Sequence, residues 1–307
     1  MLLTHPQVKA FLDYLRFEKR YSQHTLISYS TDLKQFSDYL QEQYNNADPE
    51  NITAFIVRSW LAQLKEQKNN SKTINRKIST LKSLFRFLMR AGVVQQTPMT
   101  TITSPKISKR LPSFVDEKGT KQLFSEGGKK GKQHVIKKNE WERKTDKLIL
   151  SLLYQTGMRL SELITLKEKH IDVYYGQIKV LGKGNKERII PISNELLKEL
   201  QSYMDEKSVR LENVDELLIN KKGKPLYGRY VYSRVNNMLK EVNEITIEKK
   251  SPHVLRHTFA THLMNNGAEL NAVKELLGHS SLAATQVYTH NTIEKLKDIH
   301  KKAHPKA

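Results

Sequence analysis

The chain has 307 residues, 38% of them apolar, and no cysteine; it is long enough for two domains, and no run of about 18 apolar residues offers a membrane span. Its start, MLLTHPQVKAFLDYLRFEK, meets charge too early for a secretory signal, and the lack of thiols excludes disulfides and thiolate metal sites, so the cytoplasm is the expected compartment. The 52 Lys and Arg against 32 Asp and Glu give a formal charge of +20, a field that favours a polyanion, nucleic acid foremost, over a merely solvated surface.

Residues 1–95 read as helices. Ser22 in YSQHTLISYSTDLKQFSDYLQ is placed as an N-cap. Leu26, Tyr29, Leu33, Phe36 and Leu40 follow at three- and four-residue steps, the spacing of an amphipathic stripe. The segment NNSKTINRKISTLKSLFRFLMRAG sets Ile74, Ile78, Leu81, Phe85 and Leu88 on one face and ends at Gly92 as C-cap. Arg76, Lys77 and Lys82 lie opposite, either a solvated face or one turned to nucleic acid. TPMTTITSPKISKRLPSF, with prolines at 98, 105 and 112, lacks periodicity and predicts an extended basic linker over 96–112. Such a strap can follow a DNA backbone or serve as a plain tether.

Residues 113–307 read as mostly helical with one strand signal. KLILSLLYQTG is an apolar helix ending at Gly157, and QIKVLG and ERIIPI flank the turn residues GKGNK as a β-hairpin. The stretch EGGKKGKQHVIKKNE (126–140) predicts a mobile basic loop. It is no phosphate-binding P-loop, because Glu126 stands where the first glycine belongs and Gln133 follows the lysine in place of Ser or Thr. No internal repeat or heptad array is present. The fold class expected is mainly α with a small β-hairpin or sheet (α+β).

The chemistry concentrates in PHVLRHTFATHLMNNGAELNAVKELLGHSSLAATQVYTH. His253 and His257 have the i, i+4 spacing of a zinc pair, but Val254 occupies the position of the metalloprotease glutamate, and no cysteine or evident third carboxylate completes a site. A phosphate reading fits better. Ser251 and Pro252 look like N-cap and N1, which puts His253 in the first turn of a helix, where free N–H groups favour an anion. Arg256 projects from the same face and can grip two oxygens. Arg159, in TGMRLSELITL, opens a helix with Glu162 at i+3 to hold it. Lys183 sits in the glycine-flanked hairpin turn, His279 follows Gly278 at a helix end, and Tyr288 lies nine residues on. A phenol has an ordinary pKa near 10, but beside two arginines and a phosphate its anion is favoured and can attack phosphorus. Taken singly, these features are ordinary: a surface Arg–Glu pair, a solvated turn lysine, a packed aromatic.

Their ordered combination resembles the tyrosine recombinases, or lambda-type integrases. TGMRLSEL resembles the segment of the first catalytic arginine, GKGNKER the lysine hairpin, HVLRHTFATHL the His-x-x-Arg box, and LLGHSSLAATQVYTH the third-histidine and nucleophile region. The resemblance covers nearly the whole chain. It implies a two-domain, C-shaped DNA clamp, with a helical, SAM-like core-binding domain at 1–95, a linker at 96–112 and a catalytic domain at 113–307. It also implies that Tyr288 attacks the scissile phosphate to form a 3′-phosphotyrosyl link and that Arg159 and Arg256 hold the non-bridging oxygens. Lys183 would protonate the leaving 5′-oxygen, His253 would assist proton transfer, His279 would hydrogen-bond the phosphate, and Glu162 would support the site. No metal or other cofactor is required, and His257 and His262 are read as packing.

Within the family the chain is most similar to the Xer recombinases, on its length, on GKGNKER and on the short tail after LLGHSSLAATQVYTH. The helical domain starts within about ten residues of Met1, which leaves no room for an arm-binding domain and favours resolution of chromosome dimers at cell division. Integrases and resolvases of mobile elements share that layout. The resemblance further implies a double-stranded recombination site as substrate and a tetramer on two sites, built from four copies or from pairs with a second recombinase. It extends to contact with a DNA translocase at the division septum and to no membrane partner. The tail IEKLKDIHKKAHPKA is expected either to dock on a neighbouring protomer or to fray. Two other functions compete: a type IB-like topoisomerase, and a non-catalytic architectural DNA binder, which would have no use for Tyr288.

Overall fold

The structure is a computed structural model, which describes the chain except residues 1, 3–4, 46–47, 108–112, 126–138, 183–186, 211–213, 243–244, 279–300 and 306–307. It divides into two compact units, Met1–Arg110 and Leu111–Ala307. Among the described residues no helix is long and apolar enough to cross a membrane.

The first unit is helical: α1 (Pro6–Asp13), α2 (Gln23–Tyr44), α3 (Ala54–Glu66) and α4 (Ser71–Arg90). Polar side chains start these helices by accepting free N–H groups. Ser22 takes the N–H of Thr25 at 3.3 Å, and Asn70 takes that of Thr73 at 2.9 Å. Leu33, Phe36 and Leu40 of α2 bury fully against Ile78, Leu81, Phe85 and Leu88 of α4, while Leu26 and Tyr29 are partly buried. Helix α4 ends at Arg90 with Ala91 as cap residue, and Gly92 follows it in the left-handed region at φ +71°. Met99 and Ile102, in the stretch read as linker, are buried in this same core.

One member of the polar face of α4 departs from the sequence reading. Lys77 is only 2% exposed. Its ammonium donates to Asp32 of α2 at 2.9 Å and to Gln35, and lies 5.6 Å from the ring centre of Trp60. Asp32 also accepts from Arg76 at 2.5 Å and from Thr80 at 3.0 Å. Lys77 lies three residues after Ile74 and four before Leu81, which puts it on the flank of the apolar stripe rather than opposite it, and α2 packs close enough to cover it. A buried ammonium then requires a carboxylate.

The second unit surrounds a largely buried central helix, α6 (Glu140–Thr156), which follows α5 (Glu117–Phe124). After α6 come α7 (Leu160–Ile164) and a three-stranded antiparallel sheet, β1 (Ile171–Asp172), β2 (Gln177–Leu181) and β3 (Glu187–Pro191), in the order β1-β2-β3. Then follow α8 (Asn194–Arg210), α9 (Gly228–Lys240), α10 (Pro252–Asn265) and α11 (Leu270–Leu277). The hairpin expected from QIKVLG and ERIIPI is β2–β3, with Ile178 opposite Ile190 and Val180 opposite Arg188. Its turn, 183–186, and the basic stretch 126–138 lie outside the described residues. Trp141 stacks on Tyr203 at 4.5 Å, and Ile149, Leu153, Leu196, Val235 and Leu255 complete the core.

Gly157 caps α6 in the left-handed conformation, φ +59°. A Cβ there would come within 2.4 Å of the Phe259 ring and 2.9 Å of Leu277. Only glycine lets the ends of α6 and α11 and the side of α10 meet this closely. The cationic side chains of the site gather at this junction.

Candidate active site

Helix α10 begins with Ser251 extended and Pro252 at N1, where the missing N–H costs nothing. Ser251 makes no side-chain cap bond. His253 lies in the first turn with its ring exposed. Partial desolvation, then the charges of His257, Arg256, Lys249 and Arg159, hold its pKa below the ordinary histidine value, so the ring is neutral near pH 7.

Arg256, one turn later, is 8% exposed. Its two terminal nitrogens donate to the carbonyls of Gly157 and Leu277, each at 2.6 Å. Both carbonyls are orphan acceptors at helix C-termini, where the helix dipole is negative. Burial pushes the Arg256 pKa down to about 10, helped by the charges of Arg159 and Arg188 and opposed by Glu162. It remains a cation at neutral pH.

Arg159 is the N-cap residue of α7. Its backbone N–H donates to Glu162 Oε2 at 2.7 Å, Nη1 donates to Oε1 at 2.8 Å, and Nη2 reaches the Gly278 carbonyl at 3.3 Å. Glu162 is 5% exposed, so the pair is no surface salt bridge. A further arginine, Arg188, occupies the other side of the carboxylate: Nη1 donates to Oε1 at 2.7 Å and Nη2 to Oε2 at 2.8 Å. Burial alone would raise the Glu162 pKa; the bonds and charge of Arg188, then those of Arg159, outweigh it and hold the carboxyl below the ordinary value.

Arg188 was not singled out from the sequence, although strand alternation carries the signal. In ERIIPI, side chains two apart share a face, so Arg188 falls with Ile190, which is fully buried. An arginine on a core face needs a buried acid.

Among the described residues the cluster holds three guanidiniums, of Arg159, Arg188 and Arg256, against the one carboxylate of Glu162. Two positive charges are left uncompensated beside the start of α10. Such a site can bind an anionic oxygen centre and stabilise further negative charge developing on it. Lys183, His279 and Tyr288 lie outside the described residues.

The two remaining histidines divide. His262 is buried and its Nδ1 meets the Tyr154 hydroxyl at 3.0 Å, which fits packing. His257 is exposed; at i+4 from His253 it shares that outward face, so it is not packing. Among the described residues no three His, Cys, Asp or Glu side chains are grouped to hold a metal ion. The last described residues return to this unit. Asn266 donates to the Ala303 carbonyl at 2.7 Å, and the His304 ring lies 4.8 Å from Tyr154 and 5.5 Å from Phe259.

Comparison with known proteins bears on both units. The model of the phage integrase family matches residues 133–295, and that of the phage integrase N-terminal SAM-like domain matches residues 8–92. The chain is similar to the tyrosine recombinase XerC of Listeria innocua, 39% identical over 303 residues, with 97% of each chain covered. It is likewise similar to the tyrosine recombinase XerC of Chlorobaculum parvum, 34% identical over 319 residues, covering 98% of this chain and 94% of that protein. Among solved structures, a post-cleavage complex of the XerH site-specific recombinase with palindromic difH substrate has the same fold. Its TM-score is 0.70 at 23% identity, covering 97% of this chain and 88% of that one. The chain belongs to the phage integrase family and is a site-specific tyrosine recombinase, an enzyme that cuts and rejoins DNA.

Proposed function

We propose that Arg159 and Arg256 hold the scissile phosphate, with Glu162 as their support, and that Tyr288 attacks it. The phenol oxygen bonds to phosphorus, its proton passes toward neutral His253, and the bond to the 5′-oxygen breaks. Lys183 gives that oxygen its proton, leaving a 3′-phosphotyrosyl link and a 5′-hydroxyl. His279 donates a hydrogen bond to a phosphate oxygen. The observation that carries this reading is the charge of the cluster. A phosphodiester bears one negative charge and the pentacoordinate state two, so a site with two uncompensated positive charges favours the transition state over the ground state. Arginine also stays charged while buried, which suits the task better than lysine.

The division of labour assigns core binding to 1–95, a linker to 96–112 and catalysis to 113–307; the matches at 8–92 and 133–295 support it. We further assign the enzyme to chromosome dimer resolution in the cytoplasm, acting as a tetramer on two sites, either alone or in pairs with a related recombinase. The XerC relatives, covered over nearly their full length, support this over integration of a mobile element.

The test uses a nicked duplex built on the site that the protein selects from a random-sequence library, with excess EDTA. A covalent adduct that survives SDS is expected with the wild type and absent in Tyr288→Phe. A strict magnesium requirement, or no adduct, would refute the mechanism.

A further inference from the structure

We infer that Arg188 is a positioning residue that locks the chain leading to Tyr288 onto the Arg159–Glu162 pair. The inference rests on the phosphotyrosyl reading above and adds to it a residue that does not touch the phosphate. Arg188 is 4% exposed, and its planar fork is turned inward. Besides both oxygens of Glu162, it holds the Leu276 carbonyl through Nε at 2.9 Å. One rigid group thus fixes a carboxylate of α7 and the last turn of α11 relative to each other.

The contact extends to the exit from α11. Gly278 takes the left-handed conformation, φ +63°, and its N–H closes on the Glu275 carbonyl at 2.9 Å. A Cβ at Gly278 would stand 2.9 Å from Cδ of Arg188. The guanidinium stem is therefore packed against the residue that precedes His279, ten positions before Tyr288. On its own side Arg188 belongs to β3, opposite Val180 of β2, five positions after Lys183. Strand β3, helix α7 and the end of α11 all meet at this side chain. Stability alone is a poor reason for such a pair, because well-packed apolar residues fill a core as well as a buried ion pair does.

The test uses the full-length protein and the same nicked duplex, and measures single-turnover adduct formation beside equilibrium duplex binding. Arg188→Lys keeps the charge and loses the fork. Its adduct rate is expected to fall about 100-fold, the effect of displacing a reacting group by ~1 Å, with duplex affinity unchanged. The double variant Glu162→Gln/Arg188→Met removes one charge of each sign, so the uncompensated charge stays at two as in the wild type and the fold is retained; it is expected to be equally slow. Sulfur in place of the 5′-bridging oxygen, which leaves without needing a proton, should restore Lys183→Ala and not Arg188→Lys. Wild-type adduct rates in Arg188→Lys, restoration by the sulfur substrate, or loss of duplex binding in step with cleavage overturns the assignment. A wild-type protein that forms no adduct brings down the phosphotyrosyl reading and this assignment together. A wild-type adduct matched by Arg188→Lys brings down the assignment alone.

Discussion

Glu162→Gln is the sharpest probe of the charge arrangement. The carboxylate accepts four hydrogen bonds, two from Arg159 at 2.7 and 2.8 Å and two from Arg188 at 2.7 and 2.8 Å. Glutamine offers one oxygen and turns an N–H₂ group toward donors, and it raises the uncompensated charge from two to three. Breaking a buried pair by removing one partner costs about 3–5 kcal/mol. For a unit of this size that lowers the melting temperature by about 6–20 °C. The chain has two tryptophans, Trp60 in the first unit and Trp141 in the second. In a Trp60→Phe background, the fluorescence of buried Trp141 reports on the catalytic unit alone. Added phosphate should recover more of the loss in the variant than it adds to the wild type, because an anion binds the more positive site better and stabilises by mass action. The pH dependence follows in sign. The Glu162 carboxyl is held below its ordinary 4.5; its contribution is present above that pH and lost as pH falls through the lowered value. The glutamine variant should lack this acid loss. A loss of less than about 1 kcal/mol, the worth of a surface pair, would refute the view that one carboxylate carries two guanidiniums.

Gly157→Ala should destabilise the same unit by at least about 1–3 kcal/mol in urea titration, because its Cβ would meet Phe259 at 2.4 Å in a left-handed backbone; an unchanged midpoint would refute the close approach. Asp32→Asn leaves the buried Lys77 ammonium without its carboxylate and should cost the first unit about 3–5 kcal/mol, read from Trp60, 5.6 Å from that ammonium. The double variant Asp32→Leu/Lys77→Met should lose much less, and equal losses would remove the ion pair from the account. Because the His253 pKa lies below its ordinary 6.5, the neutral ring persists into mild acid. The adduct rate should hold as pH falls to 6.5, decline below it, and lose this limb in His253→Gln; a decline centred above 6.5 would contradict the assignment.

Local signals served well where one helix or strand decides its own form. The stripe ending in Leu33, Phe36 and Leu40 lies in the first core, Ser22 caps the helix that it was expected to cap, and Gly157 ends the apolar helix before it. The hairpin formed between QIKVLG and ERIIPI because β-branched runs flanking a turn favour little else. What misled was the status of charges. Lys77 reads as a surface group, and Glu162 as the support of Arg159 with a surface pair as its ordinary alternative, because a charge pattern does not tell which neighbour will cover a polar position. Both proved buried, each held by partners from other elements. His257 went the other way: with no role implied by the resemblance it reads as packing, but it lies exposed on α10.

By itself the sequence determined the chemistry available, with two arginines, a lysine, two histidines and a tyrosine in an order that marks the family, and it determined the helix that opens at Arg159 and the one that carries His253 and Arg256. Those are properties of residue type and of spacing within a turn or two. Only the tertiary structure decided how the cations are held. Arg256 donates to carbonyls 99 and 21 residues away, and Arg188 joins a carboxylate 26 residues before it to a carbonyl 88 residues after it. A guanidinium has five donors and many candidate acceptors. Which of them it meets depends on the packing of helix ends around Gly157 and Gly278, a long-range outcome that no local pattern encodes.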